Sequence, residues 1–127
     1  MHHSRLAGLA IDCQCDDLDA QADFWGAALG MAVLPRSPEE GEETYRDLKP
    51  VGGQPYVILQ QVTHPSRVHL DIEADDVEAE VKRLAALGAK RVTQVRDWWV
   101  LEAPSGHRFC VVPPQRADFP AGANAWS

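Results

Sequence analysis

Residues 67–92 read RVHLDIEADDVEAEVKRLAALGAKRV, and this stretch decides the fold. Val68, Leu70 and Ile72 alternate with Arg67, His69, Asp71 and Glu73, the period-two pattern of a strand with one apolar and one polar face. Asp75 stands where a helix N-cap belongs, and Glu78 three residues on completes a capping box. Val77, Val81, Leu84 and Leu87 recur at helical spacing, and Gly88 supplies the left-handed stop. Residues 89–95 lead out as a second extended segment. If Val68, Leu70 and Ile72 receive the helix, then Arg67, His69 and Asp71 face the other way. Such a face is either the wall of a site or a solvated sheet surface.

The same order occurs earlier in the chain. Residues 6–13 form a first strand, Asp16 or Asp17 opens a helix, and Leu18, Ala22, Trp25 and Leu29 make its apolar stripe. Gly30 ends that helix, and residues 31–34 are strand-like until Pro35. Residues 8–12 therefore correspond to residues 69–73, a repeat in pattern rather than identity. An acidic loop, SPEEGEE at 37–43, follows. Strands at 44–48 and Tyr56–Val62 then flank PVGGQP, and strands at Trp98–Glu102 and Arg108–Val112 flank the turn at 103–107. Each half reads β-α-β-β-β. The expected class is α+β, with module one at 5–62, module two at 67–113 and a tail at 114–127. The linker at 63–66 is too short for two independent domains, so residues 1–127 are expected to form one.

A chain of 127 residues can bury a core without disulfides or metal. A formal net charge of −7 argues against nucleic-acid binding, which needs clustered Lys and Arg. No run approaches membrane-spanning length, and MHHSRLAG is too short and polar for a signal peptide, so a cytoplasmic protein is expected. His2 and His3 are set aside from the site. Cys13, Cys15 and Cys110 form neither a disulfide framework nor a zinc pattern and read as reduced thiols. Phe119 and Trp126 are the only large apolar groups of the tail, expected to anchor it.

Three segments in order resemble a known superfamily. DFWGAALG at 23–30, LQQV at 59–62 leading to RVHLD at 67–71, and PSGHRFC at 104–110 are similar to motifs of the glyoxalase/bleomycin-resistance, or vicinal-oxygen-chelate, fold, in its glyoxalase-like domain subgroup. The resemblance implies paired βαβββ modules whose curved mixed sheets surround a cleft. It also implies a homodimer and a small-molecule ligand. Metal-dependent members draw four ligands from equivalent strand positions, which fall here on Gly8, Gln60, His69 and Cys110. Gly8 offers no donor and Gln60 only a neutral amide oxygen, so this set suits neither zinc nor iron, and no metal or other cofactor is expected. A divalent ion on His69, Cys110 and Gln60 is the minority reading.

The pocket lining implied is Gly8, Gln60, His69, Cys110, Arg67, Asp71, Arg108 and Trp98. His69 is the candidate catalytic acid or base, with Asp12, Asp71 or Glu73 as its charge partner. Arg67 or Arg108 can hold an anionic substrate group, or pair with an acid on a neighbouring strand. Cys110 is a nucleophile or a small packing residue, and Trp98 stacks on ligand if Trp99 packs under the helices. Two functions stay open: an enzyme acting without metal on a compact polar metabolite, and a binding or sequestration protein of the bleomycin-resistance type. A vestigial module used for protein interaction is a third.

Overall fold

The computed structural model describes residues 1–127. Its elements in order are β1 (His2–Gln14), α1 (Leu18–Leu29), β2 (Tyr45–Asp47), β3 (Tyr56–Val62), β4 (Arg67–Ala74), α2 (Val77–Ala86), β5 (Lys90–Val95), β6 (Trp98–Glu102), β7 (Arg108–Val112) and β8 (Asn124–Trp126). The class is α+β, as expected, and no helix is long and apolar enough to cross a membrane. The chain forms two compact units, Gly8–Val68 and Met1–Ala7 with His69–Ser127.

In the Gly8–Val68 unit, β1 runs parallel to β3, and β2 pairs antiparallel with β3. Asp17 caps α1, its carboxylate accepting from the Ala20 amide, and Gly30 closes the helix at φ 68°. Leu18 and Ala22 of α1 are buried with Cys13, Met31, Leu48, Val57 and Leu59, and Trp25 packs against them. Leu29, counted in the stripe, is the last helical residue and is 44% exposed. The strand expected at 31–34 is reduced to a single bridge between Val33 and Leu48. Pro35 cannot extend a ladder, and Met31 turns into the core with its amide on the Gly26 carbonyl.

In the other unit the order is β4-β7-β6-β5, with β4 and β7 parallel and the remaining pairs antiparallel. Within each sequence module the first and last strands, β1 with β3 and β4 with β7, thus lie parallel, which is the structural content of the sequence repeat. Asp76, not Asp75, caps α2 through the Ala79 amide. Asp75 is drawn away by His3, whose amide and ring both reach it at 2.7 and 2.8 Å. Glu78 pairs with Arg91 instead of closing a capping box. Val81 is buried with Ala74, Leu101 and Val111, and Val77, Leu84, Trp99 and Phe109 pack around them. Each fully buried aliphatic chain there contributes about 1.5–3 kcal/mol.

The strand face given to α2 is only partly covered. Ala74 is buried and Ile72 half-buried, but Leu70 stays 46% exposed. Ten helical residues extend about 15 Å, whereas eight strand residues extend about 26 Å, so the helix reaches only the C-terminal part of β4. Leu87 likewise points out, 68% exposed, because it follows the last helical turn.

The termini are more ordered than their composition implies. His2 and His3, set aside in the sequence reading, belong to β1, and residues 2–4 pair with β8. His2 Nε2 lies 2.8 Å from Glu80 Oε1, and Arg83 grips both oxygens of that carboxylate at 2.8 and 2.9 Å. Burial alone would raise the Glu80 pKa, but Arg83, His2 and Ser4 together hold it down to about 2. Trp126 lies over the Arg83 guanidinium at 3.8 Å and donates its indole N–H to Ser4. Phe119 lies under Arg5, so both tail aromatics anchor as expected.

Candidate functional site

The neighbours of α2 fix which way the polar face of β4 points. Phe109 and Val111 pack in the α2 core, so Cys110 between them projects from the opposite face of the sheet. Asp71 is directly paired with Cys110 across the parallel β4–β7 ladder, and His69 lies two residues before it on the same face. One ligand atom each from His69, Asp71 and Cys110 falls within 4.8 Å of the others. His69 Nδ1 is 3.4 Å from Asp71 Oδ1, and these side chains are only 13% and 7% exposed. The structure therefore brings together an imidazole, a carboxylate and a thiol in a largely dry setting.

The residues around this cluster have their own work. Glu73, next on the same face, is fully buried; it accepts from Arg5 Nε and from the Gln115 and Arg116 amides. It fastens the tail and leaves Asp71 as the acid beside His69. Arg108 faces Glu102 across β6–β7 at 3.3 Å. Its charge is thus matched within the sheet, which weakens its case as an anion clamp. Trp98 alternates with Trp99, which packs on the α2 side with Arg91 over its ring. Trp98 consequently lies on the Cys110 face of the sheet. His107 bonds Ser105 in its exposed turn, and His64 bonds the Pro65 carbonyl.

Gly8, Gln60 and Arg67 belong to the Gly8–Val68 unit. Gly8 is paired with Tyr56, and Asp12 with Gln60, on the face of β1 and β3 turned away from α1. A Cβ at Gly8 would lie 2.3 Å from the Tyr56 ring and 2.5 Å from its carbonyl oxygen. The position implied for a first metal ligand is therefore filled by Tyr56, and a side chain there has no room. Gln60 donates to the Tyr45 hydroxyl at 3.0 Å. Arg67 Nε lies 3.6 Å from the buried Asp12 carboxylate, an acid partner within its own unit.

Asp71 enters the sequence reading as a charge partner for His69, not as a donor in its own right. The spacing His-x-Asp on an alternating strand carries that signal; the facing Cys110 could be found only from the β4–β7 register. The donor set now differs from the four carried-over positions. Nitrogen, oxygen and sulfur donors at mutual separations below 4.8 Å fit a small late divalent cation, whose tetrahedral ligand shell spans about 3.3–3.8 Å between donors. Without a cation, the same imidazole and carboxylate are groups that can exchange protons. Cys13 stands apart: it is buried against α1, and burial raises its thiol pKa.

The family model described as "Glyoxalase-like domain" matches residues 8–112. No curated protein matches the sequence. Among solved structures, the chain is similar to methylmalonyl-CoA epimerase from Mycobacterium tuberculosis, with a TM-score of 0.63 and 17% identity over 87% of this chain and 88% of that one. A hypothetical protein from Bacillus halodurans C-125 gives 0.60 at 12% identity, over 91% and 99% of the two chains. A mutant 4-hydroxymandelate synthase from Streptomyces coelicolor gives 0.63 at 19% identity, over 91% of this chain and 41% of that one. At these identities the likeness is one of fold.

Proposed function

The chain belongs to the glyoxalase-like domain family, and on that premise we propose that it binds and transforms a small polar metabolite at the His69–Asp71–Cys110 cluster. The observation that carries this reading is the placing of three reactive side chains within 4.8 Å on the sheet face opposite α2. An unperturbed imidazole exchanges protons near neutral pH, and the Asp71 carboxylate orients it and balances its positive form. The reaction class is proton transfer at carbon beside a carbonyl. The matched Arg108–Glu102 pair and the carboxylate of Asp71 favour a neutral or cationic ligand over a polyanion.

The test is solvent exchange. Chelator-treated protein is incubated in D2O with a panel of neutral and amine-bearing carbonyl compounds, and loss of the proton beside the carbonyl is followed by NMR. Exchange with at least one compound, abolished in His69→Ala, supports the proposal. No exchange with any compound, or exchange that persists in the variant, overturns it. The net charge of −7 favours a second reading, sequestration of a cationic ligand without turnover. Saturable binding of such a ligand without proton exchange would select it.

A further inference from the structure

We infer that Asp47, Tyr45 and Tyr56 form a binding site for an organic ammonium ion on the sheet face of β2 and β3 turned away from α1. The ladder register sets that face. Arg46 is paired with Leu59, and both lie on the α1 side: Leu59 is in the α1 core, and Arg46 Nε donates to Asp19 of α1 at 2.7 Å. Tyr45 and Asp47, on either side of Arg46, therefore share the opposite face with Tyr56, Ile58 and Gln60. Asp47 is paired with Ile58, Tyr45 lies two residues before it, and Tyr56 is its diagonal neighbour on β3. Such neighbours stand about 6–8 Å apart, a span that tyrosine rings and one small cation bridge.

Both rings are held by the sheet itself. Gln60 Nε2 donates to the Tyr45 hydroxyl at 3.0 Å. The Tyr56 ring fills the space over Gly8, where a Cβ would lie 2.3 Å from ring carbon Cδ1. Asp47, between them, differs from other acids of the chain. Asp19, Asp75, Glu78 and Asp118 each have hydrogen-bond donors that lower their pKa. On Asp47 no donor or opposite charge acts; crowding by protein is the one influence, and it raises the pKa. The residue stays exposed to solvent, so the crowding comes from walls beside it rather than from a cover over it. A carboxylate so placed is stabilised by a counter-charge, and the negative faces of two tyrosine rings attract the same charge. One carboxylate, with a hydroxyl already engaged by Gln60, is a poor donor set for a metal ion. A substituted ammonium instead sets its charge on Asp47 and its carbon atoms on Ile58 and the rings. The site lies wholly within the Gly8–Val68 unit and uses none of His69, Asp71 and Cys110. It gives the cationic ligand of the second reading a definite seat and is independent of proton exchange.

The test is calorimetric titration of the whole chain with benzyltrimethylammonium, with benzyl alcohol as the uncharged counterpart and amide NMR shifts to locate the contact. The expected result is one saturable site per chain, shift changes at residues 45–47 and 56–60, and binding of benzyl alcohol at least about tenfold weaker. Asp47→Asn keeps the shape and removes the charge, and weakens the cation about tenfold or more. Tyr56→Leu weakens it about threefold or more. Should Tyr56→Leu fail to fold by circular dichroism, Tyr45→Leu takes its place with the same expected loss. His69→Ala binds the cation as wild type does, and magnesium does not displace it. The inference is overturned by no saturable binding, by equal binding of benzyl alcohol, by displacement with magnesium, or by loss of binding in His69→Ala. Saturable binding that is indifferent to Asp47→Asn also overturns it, but leaves sequestration of a cationic ligand standing. Proton exchange reports on the His69 cluster alone, so its failure leaves the ammonium site standing.

Discussion

His69 Nδ1 and Asp71 Oδ1 lie 3.4 Å apart, two residues along one strand, on the sheet face opposite the one that receives α2. Alternation alone sets this relationship: a one-residue slip of β4 would put both beneath the helix, where an imidazole and a carboxylate would each cost several kcal/mol. Cys110 joins them because the β4–β7 ladder pairs it with Asp71.

Asp71→Asn keeps the shape of the side chain and removes its charge. Proton exchange by the stripped protein is expected to fall about a hundredfold at neutral pH, through the rate rather than through ligand affinity. Wild-type-like exchange rates across the pH range would show that Asp71 does not act on His69.

Glu80 sets an acid limit on stability. Its pKa is held at about 2, below the ordinary 4.5, so its contribution is fully present above pH 4.5 and is lost as pH falls toward 2. Urea unfolding at a series of pH values checks this. Glu80→Gln is expected to be less stable by about 2–4 kcal/mol at pH 7, because Arg83 and His2 lose their buried acid. The variant should also lack the steep loss between pH 4.5 and 2.

Trp126 ties the end of the chain to its beginning through Arg83 and Ser4. Trp126→Ala is expected to cost about 1–3 kcal/mol. Amide hydrogen exchange should rise at residues 2–4, which pair with β8. Unchanged protection there would mean that the strand pairing holds without the indole.

Gly8→Ala places a methyl group against the backbone oxygen of Tyr56, which cannot rotate away. Destabilisation of about 1–3 kcal/mol is expected in thermal or denaturant unfolding. A neutral substitution would show that β1 and β3 can separate at this point.

Much of the fold was legible because it is written in local rules. The β4 alternation, the α2 stripe through Val81 and the glycine stops at Gly30 and Gly88 each follow from a few neighbouring residues. What escaped depended on distant partners. Asp75 has the right chemistry for a cap, but His3, far away in sequence, takes its carboxylate and passes the cap to Asp76. Leu70 looks like core until the length of α2 is set against that of β4. The same holds at the candidate site. His69 could be assigned to a face from its own strand, whereas the grouping of Asp71 with Cys110 needs a ladder register that composition and spacing do not specify. Gly8 showed the missing donor; only the structure shows that Tyr56 fills its place.

The central claim is that His69, on the sheet face opposite α2, serves chemistry rather than stability. Thermal unfolding of wild-type and His69→Ala protein, each with and without the compound that supports proton exchange, tests it most directly. The account predicts a variant that melts within about 4 °C of wild type, since no apolar core is removed, and that gains no stability from the compound, whereas wild type does. A variant that melts far lower yet is stabilised by the compound as wild type is would contradict it.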